Sequence, residues 1–253
     1  MSTALHPYDV LQITRRLPPE VIKLLKYWKN EVFLAGGFIR AIVANEEIAD
    51  IDLIVPSDTV ARALVGDLRV SKENGGDIVH RVVSTENAYT VLGYKYPVQI
   101  IHKWTYASVH EAIGSFDFTI ACAAVYWDGE VWRSVTHPDY YADVAGKRLT
   151  YLSPVRDEAP GGSMLRVLKF YQRGYRIPLE SLGAVIARLT AQIRGDSTGA
   201  TRAEIITGLL REVDPLIDPD HIAHLPALPP EEPARTEEAQ PGLAISPSPE
   251  DSP

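Results

Sequence analysis

Two aspartates, Asp50 and Asp52, stand one residue apart at the start of the apolar segment 51–55. Side chains alternate along a strand, so residues i and i+2 project from one face and their carboxylates can share cations. Mg²⁺ prefers hard oxygen ligands and accepts phosphate oxygens in its shell. A pair of such ions can activate a hydroxyl and stabilise a leaving pyrophosphate. The spacing therefore predicts that Asp50 and Asp52 are catalytic metal ligands for Mg²⁺, with Mn²⁺ as an alternative.

A glycine pair, Gly36-Gly37, precedes these acids and lies between an apolar segment and a helical one. Glycines let the backbone approach a ligand closely, and the free N–H groups at a helix start favour a triphosphate. Arg40, one turn into the helix, can reach a phosphate oxygen. Each feature is common by itself, but the ordered set of strand, Gly-Gly-x-x-Arg, helix and Asp-x-Asp predicts a metal–nucleotide site.

The surrounding sequence predicts the elements that position these residues. Apolar spacing and breaker residues indicate a helix after Pro18-Pro19, a strand over 32–35, a helix over 38–44, a strand over 51–55 and a helix over 57–68. Residues 69–102 favour β structure, with a turn at 74–77 and a hairpin of 88–92 with 98–102. A helix over 108–113 and a hairpin of 118–127 with 131–135, turning at Asp128-Gly129, are also predicted.

The pattern becomes helical after Pro160, where apolar residues recur at helical spacing in two stretches. Thr201-Arg202-Ala203-Glu204 forms a capping box that predicts a third helix. We therefore predict a mixed α and β domain over 1–157 and a helical unit over 158–224. The last residues, 225–253, are rich in proline and acids, which is typical of a disordered tail.

Composition limits the classes of protein to be considered. Of the 253 residues, 45% are hydrophobic and 23% are charged, so a globular chain is expected. The single cysteine, Cys122, excludes an internal disulfide and a cysteine-based zinc cluster. We find no transmembrane stretch and no secretory signal, so a cytoplasmic location without membrane association is expected. With a net charge of −8, any contact with RNA would need a local basic patch.

Three motifs together resemble those of a known enzyme family. The first is Gly36-Gly37-x-x-Arg40 followed by Asp50-x-Asp52. Residues 115–123 align with Arg-Arg-Asp-Phe-Thr-Ile-Asn-Ala, and residues 162–166 align with Glu-Asp-x-x-Arg. Over about residues 20–180 the chain is similar to the class II CCA-adding tRNA nucleotidyltransferases and bacterial poly(A) polymerases, which belong to the DNA-polymerase-β-like superfamily.

The resemblance implies an α+β fold, in which a polymerase-β-like nucleotidyltransferase head with a mixed β-sheet and flanking helices precedes a small helical neck. It implies transfer of a nucleoside monophosphate from an NTP to a hydroxyl acceptor, for which an RNA 3′ end is one candidate. It also implies that the residues matching the motifs bind the nucleotide, namely Gly36, Gly37, Arg40, Asp117 and Arg166.

The chain departs from the family pattern at several positions. Ala41 replaces an aspartate, and Ser115 and Phe116 replace two arginines. The Glu-Asp of the third motif is replaced by Gly161-Gly162 or Gly162-Ser163, depending on the alignment. Asp117 could alternatively cap the following apolar strand, and Arg166 could belong to a solvated basic face with Lys169, Arg173 and Arg176. These departures do not support CTP and ATP selection of the family type.

Two acids are expected to suffice, although a third often comes from a neighbouring strand in this superfamily. Gln99 stands where such an acid would be expected, and Glu86 is a more distant candidate. Few residues follow the third motif, so the chain has no room for a tRNA-binding body. The same chemistry on a protein side chain, a small molecule or a nucleotide is therefore an alternative. A non-catalytic relative that only binds nucleotide or RNA is another.

Overall fold

The computed structural model describes residues 3–73, 76–154, 161–191 and 204–208. All of these belong to one compact unit, Met1–Asp214. The predicted tail over 225–253, the first half of the predicted turn at 74–77 and the first three residues of the predicted capping box lie outside the described residues. The predicted domain boundaries at 157 and 224 also lie outside them and remain predictions.

A seven-stranded mixed sheet forms the centre of the molecule. Its strands, with a separate two-stranded sheet of β3 and β4, are β1 Phe33–Ala35, β2 Ile51–Ile54, β3 Val70–Glu73, β4 Gly76–Val79, β5 Arg81–Ser84, β6 Ala88–Leu92, β7 Val98–Ile101, β8 Ala123–Trp127 and β9 Trp132–Thr136. The order in the large sheet is β5-β6-β7-β2-β1-β8-β9. Only β2 and β7 pair in parallel, and the other neighbours are antiparallel.

Helices flank this sheet and complete the α+β fold. They are α1 Pro7–Arg16, α2 Pro19–Tyr27, α3 Gly37–Val43, α4 Asp58–Leu68, α5 Val109–Gly114, α6 Tyr140–Ala145, α7 Gly161–Gln172 and α8 Leu179–Ala191, with a 3-10 helix over Thr119–Ala121. Ser57 and Ser108 cap α4 and α5, because each side chain accepts a hydrogen bond from the backbone N–H three residues later. These caps fix where both helices begin.

The alternation of side chains along β2 separates the residues of the large core from Asp52. Ile51, Leu53 and Val55 enter the large core that α1 to α4 share with the sheet. Ile54 points to the opposite face, into a smaller apolar cluster that includes Ala112 and Ile113 of α5. Asp52 shares that second face by its i, i+2 relation to Ile54. Asp52 therefore lies on the face of the sheet that carries the smaller apolar cluster, opposite the large core.

Most predicted elements of the first half are confirmed, but the strand predicted over 118–127 begins only at Ala123. Residues Phe118–Cys122 form a 3-10 turn instead, in which the Cys122 N–H donates to the carbonyl of Thr119. The Thr119 hydroxyl donates to the buried carboxylate of Asp143, which draws this segment toward α6 and away from β9. The local pattern of apolar residues could not reveal this contact, because Thr119 and Asp143 lie far apart in the sequence.

Helices α1 and α6 were not predicted from the sequence. In α1 only Ile13 is buried within the helix, so its apolar period is weak. Helix α6 has six residues, too few for a clear period. Among the described residues, no helix has the length and apolar composition needed to cross a membrane.

Candidate active site

The bend between β1 and α3 brings the backbone close to both predicted catalytic acids. Gly36 adopts φ +72° and ψ −129°, which favours glycine, and its N–H donates to the carbonyl of Ala123. A Cβ at Gly36 would lie 3.5 Å from Oδ2 of Asp52, and one at Gly37 would lie 3.9 Å from Oδ1 of Asp50. Both carboxylates therefore face the glycine bend, as the sequence predicted.

Gln99 fixes the first of these acids. Asp52 pairs in register with Ala35 on β1 and with Gln99 on the parallel strand β7. The Gln99 Nε2 donates a 3.0 Å hydrogen bond to Oδ2 of Asp50, which lies just before β2. The position where a third acid was considered thus holds a donor that orients Asp50. The other candidate, Glu86, lines the same cavity but pairs with Lys103 at 3.2 Å.

The two carboxylates repel each other in a partly desolvated setting. Burial, followed by the negative charge of Asp50, raises the pKa of Asp52 to about 7. The positive charges of Lys169 and Arg40 act in the opposite direction. A bound cation would relieve this repulsion, and two carboxylates are suitable oxygen ligands for Mg²⁺. No group of three or more His, Cys, Asp or Glu side chains suited to a metal occurs within the described residues.

Arg40 is held in place from two sides. It is buried, and its Nε donates to Oε2 of Glu46 at 3.4 Å. Its guanidinium lies 4.6 Å from the ring centre of Phe170 on α7. Both terminal nitrogens lie 4.0 Å from the position that a Cβ at Gly37 would take. Arg40 is therefore a fixed positive charge beside the glycine bend.

Asp117 and Arg166, which belong to two separate sequence motifs, form a direct ion pair. The Arg166 Nη1 donates to Oδ2 of Asp117 at 2.6 Å, and Asp117 is buried. The carbonyl of Asp117 accepts from the N–H of Leu152, which holds the backbone before the 3-10 turn. The structure thus brings Arg166 to the site on α7, and the two motif residues lie 49 positions apart in the chain.

A single cavity of about 630 Å³ collects all the residues that the sequence singled out for the site. They are Gly36, Gly37, Arg40, Asp50, Asp52, Asp117 and Arg166. Three aromatic residues, Trp104, Phe116 and Phe170, also line this cavity. Trp104 and Phe116 offer flat apolar surfaces on which a base could stack.

Helix α7 contributes more to the cavity than the sequence predicted. Lys169, Phe170 and the following Arg173 line it together with Arg166. The sequence allowed Lys169 and Arg173 to be part of a solvated basic face. The spacing of 166, 169 and 173 places all three cations on one helical side, which is the signal that could have identified them. Phe170 had no such signal, because a single aromatic residue in a helix usually belongs to the core.

Solved structures of CCA-adding enzymes share this fold. The Thermotoga maritima CCA-adding enzyme complexed with tRNA_CCA superposes with a TM-score of 0.53 and 15% identity, covering 76% of this chain and 46% of that enzyme. A CCA-adding enzyme in complex with CTP gives a TM-score of 0.54 and 17% identity over the same shares. The chain therefore has a nucleotidyltransferase-like fold and spans slightly less than half the length of these enzymes.

No curated protein matches the chain in sequence. A family model does match, the one described as "Gad2: Gabija anti-defense 2 family protein", over residues 12–147. This range covers more than half of the 253 residues and contains the glycine bend, Asp50, Asp52 and Asp117, while Arg166 on α7 follows it. On that match, the chain belongs to the Gad2 family.

Proposed function

We propose that this protein is a Mg²⁺-dependent nucleotidyltransferase that transfers a nucleoside monophosphate from an NTP to a hydroxyl acceptor. The observation on which this proposal rests is that Asp50 and Asp52 both face the bend at Gly36-Gly37 inside one cavity. Phosphoryl transfer mainly requires positioning and charge neutralisation, and this arrangement offers both. The nucleotidyltransferase-like fold supports the same chemistry.

Each residue of the cavity has its own role in the proposed reaction. Asp50 and Asp52 would hold Mg²⁺, with Mn²⁺ as a possible substitute, and Gln99 keeps the Asp50 carboxylate oriented. When bound, the ions would supply positive charge for the attacking hydroxyl and the leaving pyrophosphate. The backbone N–H groups at the start of α3 would receive phosphate oxygens, and Arg40 would supply a fixed charge beside them.

The nucleoside would lie at the other end of the cavity. The ion pair of Asp117 with Arg166 marks that end, and Phe116 provides an apolar wall next to it. An aromatic wall can stack on any base, since every base has a flat face. Because Arg166 already forms an ion pair with Asp117, we propose that the site accepts a wider range of NTPs than a site that recognises the edges of the base.

An RNA 3′ end is the acceptor that we propose first. The solved relatives include an enzyme complexed with tRNA_CCA and enzymes complexed with CTP or ATP. The cytoplasm, where NTPs and RNA are both present, is the compartment that we propose for this reaction.

The test of this function is a transfer assay with each labelled NTP, Mg²⁺ and total RNA. We expect Asp52→Asn and Asp50→Asn to lower the rate by at least about a thousandfold, because each removes a charge required in the transition state. Asp67→Asn is the matched control, since Asp67 is an exposed residue of α4. Unchanged transfer in Asp52→Asn, with the fold intact by circular dichroism, would refute the proposal.

A second candidate function follows from the name of the family, which refers to countering the Gabija defence. In this case the acceptor would be a protein side chain or a nucleotide of that defence. Incubation of Gabija components with each NTP and the protein, followed by mass spectrometry, would detect the added nucleotide. If Asp52→Asn lost transfer but still countered Gabija in cells, a binding role without catalysis would be favoured.

A further inference from the structure

Helix α7 and the turn that follows it present three cations to the cavity. Arg166 and Lys169 lie three residues apart on α7, and Arg173 follows the last residue of the helix, Gln172. Arg166 marks the nucleoside end through its bond to Asp117. Lys169 lies close enough to Asp52 for its charge to act on that carboxylate. The three cations therefore extend from the nucleoside end past the predicted metal ligands.

Some cations of the cavity already form an ion pair with an acid, and others do not. Arg40 pairs with Glu46 at 3.4 Å, Lys103 pairs with Glu86 at 3.2 Å, and Arg166 pairs with Asp117 at 2.6 Å. Lys169 and Arg173, in contrast, have no carboxylate within salt-bridge distance among the described residues. Cations that line a cavity without a partner are suited to an anionic ligand, because they lose no internal ion pair on binding.

Aromatic contacts place Arg173 at the same wall as Arg40. The ring of Phe170 lies 4.6 Å from the Arg40 guanidinium and 6.0 Å from that of Arg173. The carbonyl of Arg173 also accepts a hydrogen bond from Nζ of Lys147 at 3.3 Å, which fixes the backbone there. Arg173 is half-buried as a result, whereas Lys169 remains exposed along the cavity rim.

We propose that Lys169 and Arg173 bind the β and γ phosphates of the NTP substrate, beyond the contacts made by the glycine bend. The inference rests on the proposed function, since it assigns further residues to the same nucleotide site. It gives α7 two tasks, one at the nucleoside through Arg166 and one at the polyphosphate. The head supplies the metal ligands, and α7 with the turn that follows it supplies the charge that compensates the phosphates.

The experiment measures equilibrium binding of ATP, AMP and inorganic tripolyphosphate to the full chain in the presence of Mg²⁺. We expect Lys169→Gln and Arg173→Gln each to weaken ATP and tripolyphosphate binding by about tenfold, because each removes a charge-assisted hydrogen bond. Binding of AMP should change less than about threefold, since AMP lacks the distal phosphates. Lys23→Gln, at an exposed lysine of α2, is the charge-matched control and should change none of the three.

Two results would overturn the inference. The first is an ATP affinity in the double variant within about threefold of wild type, and the second is a loss of AMP binding as large as the loss for ATP. A merely structural role would weaken all three ligands together and lower the melting temperature. If the double variant does not fold, Lys169→Gln alone decides, because that exposed side chain makes no internal ion pair in the described residues.

Failure of the inference can be told apart from failure of the proposed function. Wild-type protein that binds tripolyphosphate through Lys169 and Arg173 but transfers no nucleotide supports the inference and refutes the function. Wild-type protein that transfers nucleotide, while the double variant keeps the wild-type KM for ATP, refutes the inference alone. Wild-type protein that binds neither ATP nor tripolyphosphate refutes the inference as well.

Discussion

At the scale of single residues, the two neighbouring carboxylates of Asp50 and Asp52 repel each other, and a bound cation would relieve this repulsion. Asp52 lies partly buried beside Asp50, and burial together with this neighbouring charge raises its pKa to about 7. Such an arrangement costs folding free energy when no cation is bound. It persists because the register of β2 with β1 and β7 fixes the position of Asp52. The residue that matters most for the proposed chemistry should therefore weaken the metal-free fold.

This conclusion gives a prediction about pH. The pKa of Asp52 is higher in the folded protein than in the unfolded chain, so its ionisation destabilises the fold increasingly as pH rises from about 4 to 7. Without metal, we expect Asp52→Asn to melt about 3–6 °C above wild type at pH 8 and close to wild type at about pH 4. Differential scanning fluorimetry across this range, with Asp67→Asn as control, measures the difference.

The same melting temperatures, measured with added Mg²⁺, give a second prediction. The ion should raise the melting temperature of wild type at pH 8, because it binds only the folded site. It should leave Asp52→Asn nearly unchanged. A constant difference between the two proteins at all pH values, or an equal Mg²⁺ effect on both, would contradict this account of the acid pair.

At the scale of elements, the segment after Asp117 shows how a distant helix decides local structure. The Thr119 hydroxyl and the Arg148 Nε both donate to the carboxylate of Asp143, which is fully buried on α6. These bonds hold the 3-10 turn where a strand was predicted. Because Asp117 directly precedes the turn, α6 indirectly sets the position at which Asp117 meets Arg166.

We therefore predict that Asp143→Ala destabilises the protein by about 1.5–3 kcal/mol, because a buried charged acceptor of two hydrogen bonds is lost. Urea unfolding followed by circular dichroism measures the free energy. Asp139→Ala is the matched control, since the exposed Asp139 side chain makes no capping bond to α6 and should change stability by less than about 0.5 kcal/mol. Equal stabilities of the two variants would show that Asp143 does not hold the turn.

At the scale of the whole molecule, charge is distributed unevenly between the cavity and the sequence end. The chain has a net charge of −8, yet the cavity wall formed by α7 and the turn after it carries Arg166, Lys169 and Arg173. Residues 229–253 contain six acids and one arginine, which is −5, so the rest of the chain has −8 − (−5) = −3. An RNA acceptor would meet a local positive wall on a protein that repels it overall.

Removal of residues 229–253 should therefore increase the affinity for single-stranded RNA at low salt. We expect an increase of about threefold or more at 50 mM salt, and little difference at 0.5 M, where the Debye length is only a few ångströms. Fluorescence anisotropy with a labelled RNA at both salt concentrations tests this. Replacing the acids of this segment by Gln and Asn, without shortening the chain, is the control that separates charge from length.

The sequence by itself determined the order of the elements from α2 to α4 and the residues that face the glycine bend. This was possible because both signals are local: alternation along a strand places Asp50 and Asp52 on one side, and a glycine pair marks a sharp turn before a helix. The nucleotidyltransferase-like fold followed from the same motifs. Asp117 and Arg166 were identified from motif resemblance, but their contact was not.

Only the tertiary structure decided which distant groups meet these residues. Gln99 orients Asp50 because β7 runs parallel beside β2, and Arg40 is immobilised because Glu46 and Phe170 reach it from a loop and from α7. Lys169 and Arg173 become cavity residues only once α7 packs against the head. These contacts join positions far apart in the chain, and their free energy depends on packing and burial that no local pattern encodes.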